Sequence, residues 1–167
     1  CIPLSSQYVL KEVKNKSKLT LLRETIKTDT NINILIAKSL IKKGYKKIGV
    51  LGLSYKGNLK VNILSPVIPF IKYLKSKGIS VSLFDPYYSN KEINQITGVK
   101  SFKYPQDLSK FDCIVLSIDH KEFKTNMNNI IKHLSNCKYI LDNMKVWEKI
   151  NFPKRITYKI TGEKNWI

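Results

Sequence analysis

The sequence predicts an α/β fold, a doubly wound parallel sheet preceded by one long helix, and three observations predict it. From residue 47 onward, short apolar runs of strand length alternate with amphipathic segments of helix length. The connections between these runs are long enough for the helical crossovers that parallel strands require. An uninterrupted stretch of helical periodicity, residues 18–43, stands in front of the first run. Together they describe a Rossmann-like architecture.

Residues 8–14 (YVLKEVK) read as a short helix, and Asn15, Lys16 and Ser17 as a turn whose serine caps the next helix. Through residues 18–43 apolar side chains recur at Leu19, Leu22, Ile26, Ile32, Ile36, Leu40 and Ile41, with neither Gly nor Pro before Gly44. That spacing makes one amphipathic helix closed by a C-terminal glycine. Its stripe is longer than a small sheet can cover, so part of it is expected to pack on something else. Residues 47–51 (KIGVL) form a buried strand, 65–77 a helix begun near Pro66 and ended by Gly78, and 79–84 (ISVSLF) a second strand. A weaker helix at 91–96 and a short strand at 99–102 come next. Residues 112–118 (DCIVLSI) are a strong strand, 122–134 a helix, 138–141 a strand and 156–160 the last one.

Composition bounds the function classes. With 167 residues, 43% hydrophobic and 25% charged, the chain can bury a real core but not two full-sized domains. No apolar run reaches the roughly 18 residues of a membrane span, and the basic-then-apolar layout of a signal peptide is absent, so a soluble, cytoplasmic protein is expected. The first residue is Cys1, not Met, and the chain is expected to be cut from a longer polypeptide. Cys1, Cys113 and Cys137 are odd in number and lack CxxC spacing, which suggests neither a disulfide framework nor a zinc site. Cys113 and Cys137 lie in apolar segments and read as core residues. The net charge of +18 raises a polyanionic partner. The lysines, however, are spread through every segment, and only Arg23 and Arg155 supply a guanidinium fork. The distribution therefore argues against nucleic acid, and it fits equally the codon bias of an A+T-rich genome.

In doubly wound sheets ligands bind beyond the carboxyl ends of the strands, at the switch point of the strand order. The segments leaving those ends are residues 52–64, 85–88, 119–120 and 142–147. The first is not a dinucleotide fingerprint, because Gly49 and Gly52 have the wrong spacing and the loop before the next helix is too long. Lys56 on that loop can meet a phosphate as a point charge, against the plainer alternative of a solvated lysine. Asp119 reads as the cap of the adjoining helix and His120 as a strand-end residue rather than a catalytic pair. Asp85-Pro86 reads as a turn, with ribose contact by Asp85 as a second choice. Trp147 and Trp166 read as packing anchors.

GLSYKGN followed by SP (residues 52–66), FDPYY (84–88), IDHKEF (118–123) and LDNMKVW (141–147), in this order, resemble the C-terminal domain of the UDP-glucose/GDP-mannose dehydrogenase family. There the stretches run like GLAYKPNTDDLRESP, YDPY, TDHDEF and DTRGVW. CIPLSSQYVL (1–10) is similar to the family's CIPVDPYYL, so the resemblance covers nearly the whole chain. It implies an oxidoreductase that converts a sugar's primary alcohol to a carboxylate with two NAD in succession. It also implies that Cys1 is the catalytic nucleophile, whose thiolate forms a thiohemiacetal and then a thioester that water hydrolyses. Lys56 matches a lysine on the substrate's phosphates, with Tyr55 beside it. Residues 1–44 correspond to the remainder of the central helical, dimer-forming domain, and 45–167 to the UDP-sugar-binding domain. NAD is placed mainly in a domain preceding the cysteine, so this chain alone is expected to be inactive. The pattern departs at Ser5, where the family has an aspartate, at Lys60 and Val61, where it has paired acids, and at Ile63 and Met144, where it has arginines; Lys145 can substitute the charge lost at Met144. A nucleotide-sugar-binding module without catalysis, supported by these departures, and a basic nucleic-acid-binding protein are the competing readings. A GxGxxG upstream of Cys1 discriminates the first, and steep salt dependence of duplex binding the second.

Overall fold

The computed structural model describes residues 2–14, 16–125, 127–164 and 166. Helix α1 spans Ile2–Glu12, a one-turn 3-10 helix spans Lys16–Leu19, and α2 spans Thr20–Lys42. The residue capping α2 is Leu19, which offers no side-chain bond, so Ser17 lies within the preceding turn instead of at the cap. At the other end Gly44, at φ +86°, comes after Lys43 and takes the left-handed conformation that stops the helix.

Strand β1 (Lys47–Leu51) leads through a long loop into α3 (Val67–Ser76), and β2 (Ser80–Phe84) leads into α4 (Asn90–Thr97). The N-terminus of α4 is fixed by a capping box. The Ser89 hydroxyl accepts from the Glu92 amide, and the Glu92 carboxylate accepts from the Ser89 amide. After the two-residue β3 (Lys100–Ser101) and a 3-10 turn (Gln106–Lys110) comes β4 (Cys113–Leu116). Strands β5 (Tyr139–Asp142) and β6 (Thr157–Ile160) complete the chain.

Residues 122–134 do not form the single helix that their periodicity predicts. Two one-turn helices, α5 (Lys121–Lys124) and α6 (Met127–Ile130), precede a 3-10 turn, Ile131–His133. Thr125, extended at ψ 146°, ends α5, and Asn128 and Asn129 are weak helix formers. The apolar spacing itself is used, since Phe123, Ile130 and Leu134 are all buried; successive turns bury them as well as a continuous helix would.

The six strands are all parallel, in the order β3-β2-β1-β4-β5-β6. This is the doubly wound order whose switch point lies between β1 and β4. Neighbouring residues on a strand point to opposite faces, which splits the interior in two. Val50, Val115 and Leu141 join a core with α2, α3 and α4, through Leu40, Phe70, Leu74 and Ile93. Leu51, Leu116 and Ile140 join the other, with Phe111, Phe123, Leu134 and Trp147. Cys113 and Cys137 are both buried, as expected of core residues; burial pushes the Cys137 thiol up to about 12. Helix α2 is divided along its length. Ile36, Ala37 and Leu40 lie in the first core, whereas Leu21 is 83% and Leu35 49% exposed. Among the described residues no helix is long and apolar enough to cross a membrane.

Candidate functional site

The loop after β1, residues 52–66, leaves the sheet at its switch point, flanked by the ends of β2 and β4. Gly52 donates to Phe84 O (2.8 Å) and Ser117 to Leu51 O (2.9 Å), so the three strands remain paired up to their carboxyl ends. Gly52 sits at φ +98°, and a Cβ there would fall 2.2 Å from Ile118 Cγ2; one at Gly57 would fall 2.4 Å from Asp119 Oδ1. The close approach that these glycines permit is therefore to the protein's own β4 loop rather than to a ligand.

What holds the loop is a buried network that the motifs do not display. Asp85, 1% exposed at the end of β2, accepts on Oδ2 from the amides of Leu53 (2.7 Å) and Ser54 (3.0 Å), and on Oδ1 from Tyr87 (2.9 Å). The same Oδ2 lies 3.1 Å from Nε2 of the fully buried His120. On the far side of the ring Nδ1 accepts the Asn58 N–H at 2.9 Å, which leaves the ring proton on Nε2, directed at Asp85. Asn58, at φ +60°, returns its side-chain oxygen to the Lys121 amide (2.8 Å). Burial pushes the Asp85 carboxyl up, but the His120 N–H and the amides of Leu53, Tyr87 and Ser54 outweigh it and hold the group below its ordinary value.

One sequence expectation changes here and one alternative loses support. Asp85, 1% exposed, takes three of the protein's own donors on Oδ2 and one on Oδ1, which favours the turn over ribose contact. Asp119 does not cap α5: the capping position is His120, without a side-chain bond, and Asp119 pairs with Lys124 at 2.9 Å. His120 has both ring nitrogens engaged inside the protein and so positions the loop instead of acting as an acid or base. The sequence signal for this network is an acid ending one strand (FDP) and a histidine just past another (IDH), but nothing in either motif says that they meet.

A second strand-end aspartate does the same at β5. Asp142, fully buried, accepts from the Met144 amide (3.0 Å), the Trp147 amide (2.8 Å) and the Tyr158 hydroxyl (2.7 Å). Burial, and then this carboxylate, push the Tyr158 phenol up. Trp147 is the packing anchor expected of it: fully buried, its Nε1 donates to Phe123 O at 2.9 Å. Trp166 packs against the first core, and its carbonyl accepts from the Tyr139 hydroxyl.

Of the residues picked from sequence, Lys56 is exposed and forms no ion pair among the described residues. Tyr55, half-buried, faces a cleft of about 600 Å³ between the long helix and the start of α3, lined also by Ser6, Gln7, Asp29, Asn33 and Ser65. Lys145, at φ +57°, stands on the loop after β5, with β4 between it and β1; its Nζ lies 3.9 Å from Glu148 and 3.8 Å from Glu163. Cys1 lies outside the described residues. Lys60 ties the loop to α4 through Glu92 (2.5 Å), which with Ser89 draws that carboxyl down to about 2. Ile63 and Met144 are 69% and 46% exposed. Among the described residues no group of three His, Cys, Asp or Glu side chains forms a metal site.

Comparison with known proteins agrees with this geometry. UDP-N-acetyl-D-mannosamine dehydrogenase of Methanococcus aeolicus is 28% identical over 191 residues, covering 100% of this chain and 39% of the relative. UDP-N-acetyl-D-glucosamine 6-dehydrogenase of Salmonella typhi is 25% identical over 114 residues, 66% of this chain and 27% of its own. The chain thus spans at most about two fifths of the length of these relatives. Among solved structures, a UDP-D-ManNAc dehydrogenase from Pyrococcus horikoshii superposes with a TM-score of 0.69 at 23% identity, over 97% of this chain and 38% of that one, a likeness of fold. Residues 49–149, which run from within β1 through β5 and include both strand-end aspartates, match the UDP binding domain of the UDP-glucose/GDP-mannose dehydrogenase family, and the chain belongs to that family.

Proposed function

We propose that this chain is the nucleotide-sugar-binding portion of an NAD-dependent UDP-sugar 6-dehydrogenase, which oxidises a sugar's primary alcohol to a uronate. The observation that carries the proposal is the pinned loop at the switch point. Asp85, His120 and Asn58 fix its backbone, while Lys56 is left exposed and Tyr55 faces the cleft. Lys56 meets the substrate's diphosphate, Tyr55 borders the sugar nucleotide, and Lys145 adds charge from the β5 loop. Ser6 and Gln7 line the same cleft, a few residues from Cys1, the assigned nucleophile for the aldehyde intermediate.

The loop after β1 does not fit NAD. Helix α3 begins only at Val67, so no helix N-terminus stands at the strand end, and the spaces beside Gly52 and Gly57 are filled by Ile118 and Asp119. The cofactor is accordingly assigned to a domain outside this chain, which alone is inactive. A homodimer through α2, supported by exposed Leu21 and Leu35, and a cytoplasmic location complete the proposal.

The test is titration of UDP by calorimetry or NMR against wild type, Lys56→Ala and the bulk-charge control Lys72→Ala. A charge-assisted contact contributes about 1.5–3 kcal/mol, so Lys56→Ala should weaken binding roughly ten- to a hundredfold. Equal losses in both variants would mean that only the overall charge attracts the nucleotide. Exposed Ile63 and Met144, standing where the motifs that the sequence resembles have arginines, favour a second reading, a binding module without catalysis. NADH formation by a full-length enzyme, lost in Cys1→Ser, would eliminate it.

A further inference from the structure

At the amino end of the sheet, opposite the switch-point loops, three neighbouring strands, β1, β4 and β5, begin at or just after a charged residue, and Arg155 stands two residues before β6. The parallel ladder sets Lys47, Asp112 and Lys138 side by side: the Asp112 amide donates to Lys47 O (3.0 Å), that of Lys138 to Asp112 O (2.9 Å), and that of Thr157 in β6 to Lys138 O (2.9 Å). The fold thereby gathers Lys46, Lys47, Lys110, Lys138 and Arg155 around a recess of about 520 Å³. These residues come from four distant parts of the sequence, so the basic cluster is a product of the topology and not of a charge run.

The recess keeps an excess of positive charge, five cations against one lining carboxylate. Asp112 is the one carboxylate among the lining residues, and its oxygens receive the backbone amides of Lys46 (2.9 Å) and Lys47 (3.1 and 3.2 Å). Lys110 pairs with Asp107 at 2.8 Å, whereas Lys46, Lys47, Lys138 and Arg155 form no ion pair among the described residues. Arg155 is held in place by Nη1, which donates to Leu134 O (2.8 Å) and Cys137 O (3.1 Å). Its Nε and Nη2 donors have no protein partner among the described residues, so an anchored fork presents its other edge. Like charges gathered in a recess repel one another, and an anion carrying several closely spaced charges reverses the sign of that term.

We infer that this recess is a second ligand site, which takes a compact oligophosphate such as a triphosphate chain, inorganic or carried by a nucleoside. The Arg155 fork matches pairs of non-bridging phosphate oxygens, and three flexible lysines reach the remaining ones. A nucleic acid fits less well. The aromatic lining the recess, Phe111, is only 6% exposed and offers no face for base stacking, and the cations surround a pocket instead of forming a stripe.

The experiment titrates the 167-residue chain with sodium tripolyphosphate, by calorimetry and by amide NMR, at about 150 mM salt, where diffuse attraction is screened. Saturable binding is expected, with shifts at Lys46, Lys47, Asn136 and Arg155 and none in the loop of residues 52–66. Lys46→Gln with Lys138→Gln, both exposed positions, should weaken it roughly tenfold or more. Lys72→Gln with Lys91→Gln makes the same charge change elsewhere and should stay within about twofold. A nucleoside triphosphate binding equally well identifies the phosphate chain as sufficient, and tighter binding adds the nucleoside; both keep the site. Equal losses in the two double variants, shifts confined to residues 52–66, or duplex DNA displacing tripolyphosphate at equal phosphate concentration would overturn it. Saturating UDP should leave tripolyphosphate binding unchanged, so failure at either site leaves the other testable.

Discussion

Replacing Asp85 with Asn tests whether the buried network, rather than packing, holds the site loop. The carboxylate receives four donors, three of them on Oδ2. An amide of the same shape retains one oxygen, and its NH2 group must face either the Tyr87 N–H or the Leu53, Ser54 and His120 donors. Hydrogen bonds to a charged group contribute about 1.5–3 kcal/mol each against about 1 for neutral ones, and an orphaned buried donor costs about 1–3. Relief from burying a charge offsets part of this, so the net loss should be about 2–4 kcal/mol. In urea, with a slope of roughly 2 kcal/mol/M, the midpoint should fall by about 1–2 M. The acid limb adds a second readout. Because the folded carboxyl is held below its ordinary value, its ionised form stabilises the fold fully above the unfolded value of about 3.9, and the contribution is lost as pH falls through the lower folded one. Wild type should therefore lose more stability than Asp85→Asn between about pH 5 and 3. A variant less than about 1 kcal/mol weaker, with an unchanged acid limb, would refute the network's role.

Individual contacts carry further consequences. Gly52 and Gly98 both sit at positive φ, but a Cβ at Gly52 falls 2.2 Å from Ile118, whereas one at Gly98 meets the flexible tip of Lys75 at 2.8 Å; thermal unfolding should show about 3 kcal/mol or more lost on Gly52→Ala and about 1 on Gly98→Ala. Trp147→Ala removes a fully buried side chain and the bond to Phe123 O, and should destabilise by about 3–5 kcal/mol in denaturant titration. In a Cys1→Ser background, buried Cys113 and Cys137 should not react with a thiol reagent at neutral pH until denaturant is added, because burial holds both as thiols.

The order of strands and helices, the parallel sheet and the family were legible in the sequence, because period-2 and period-3.6 apolar patterns and ordered motifs are local properties of the chain. Local signals also marked where elements stop, as at Gly44 and Gly78, both of which take positive φ. They failed at residues 122–134, where turns interrupted at Thr125 bury the same side chains as one helix would. Lys56 and Tyr55 could be picked out because they sit on a recognisable loop. The Asp85–His120–Asn58 network could not, since its partners are 35 and 62 residues apart and each looks locally like a turn or a strand end. The basic recess was hidden more completely: a net charge of +18 spread over the sequence looks featureless. Only the strand order decides that Lys47, Lys138 and Arg155 arrive at one edge, because parallel strands place all their beginnings at the same end of the sheet.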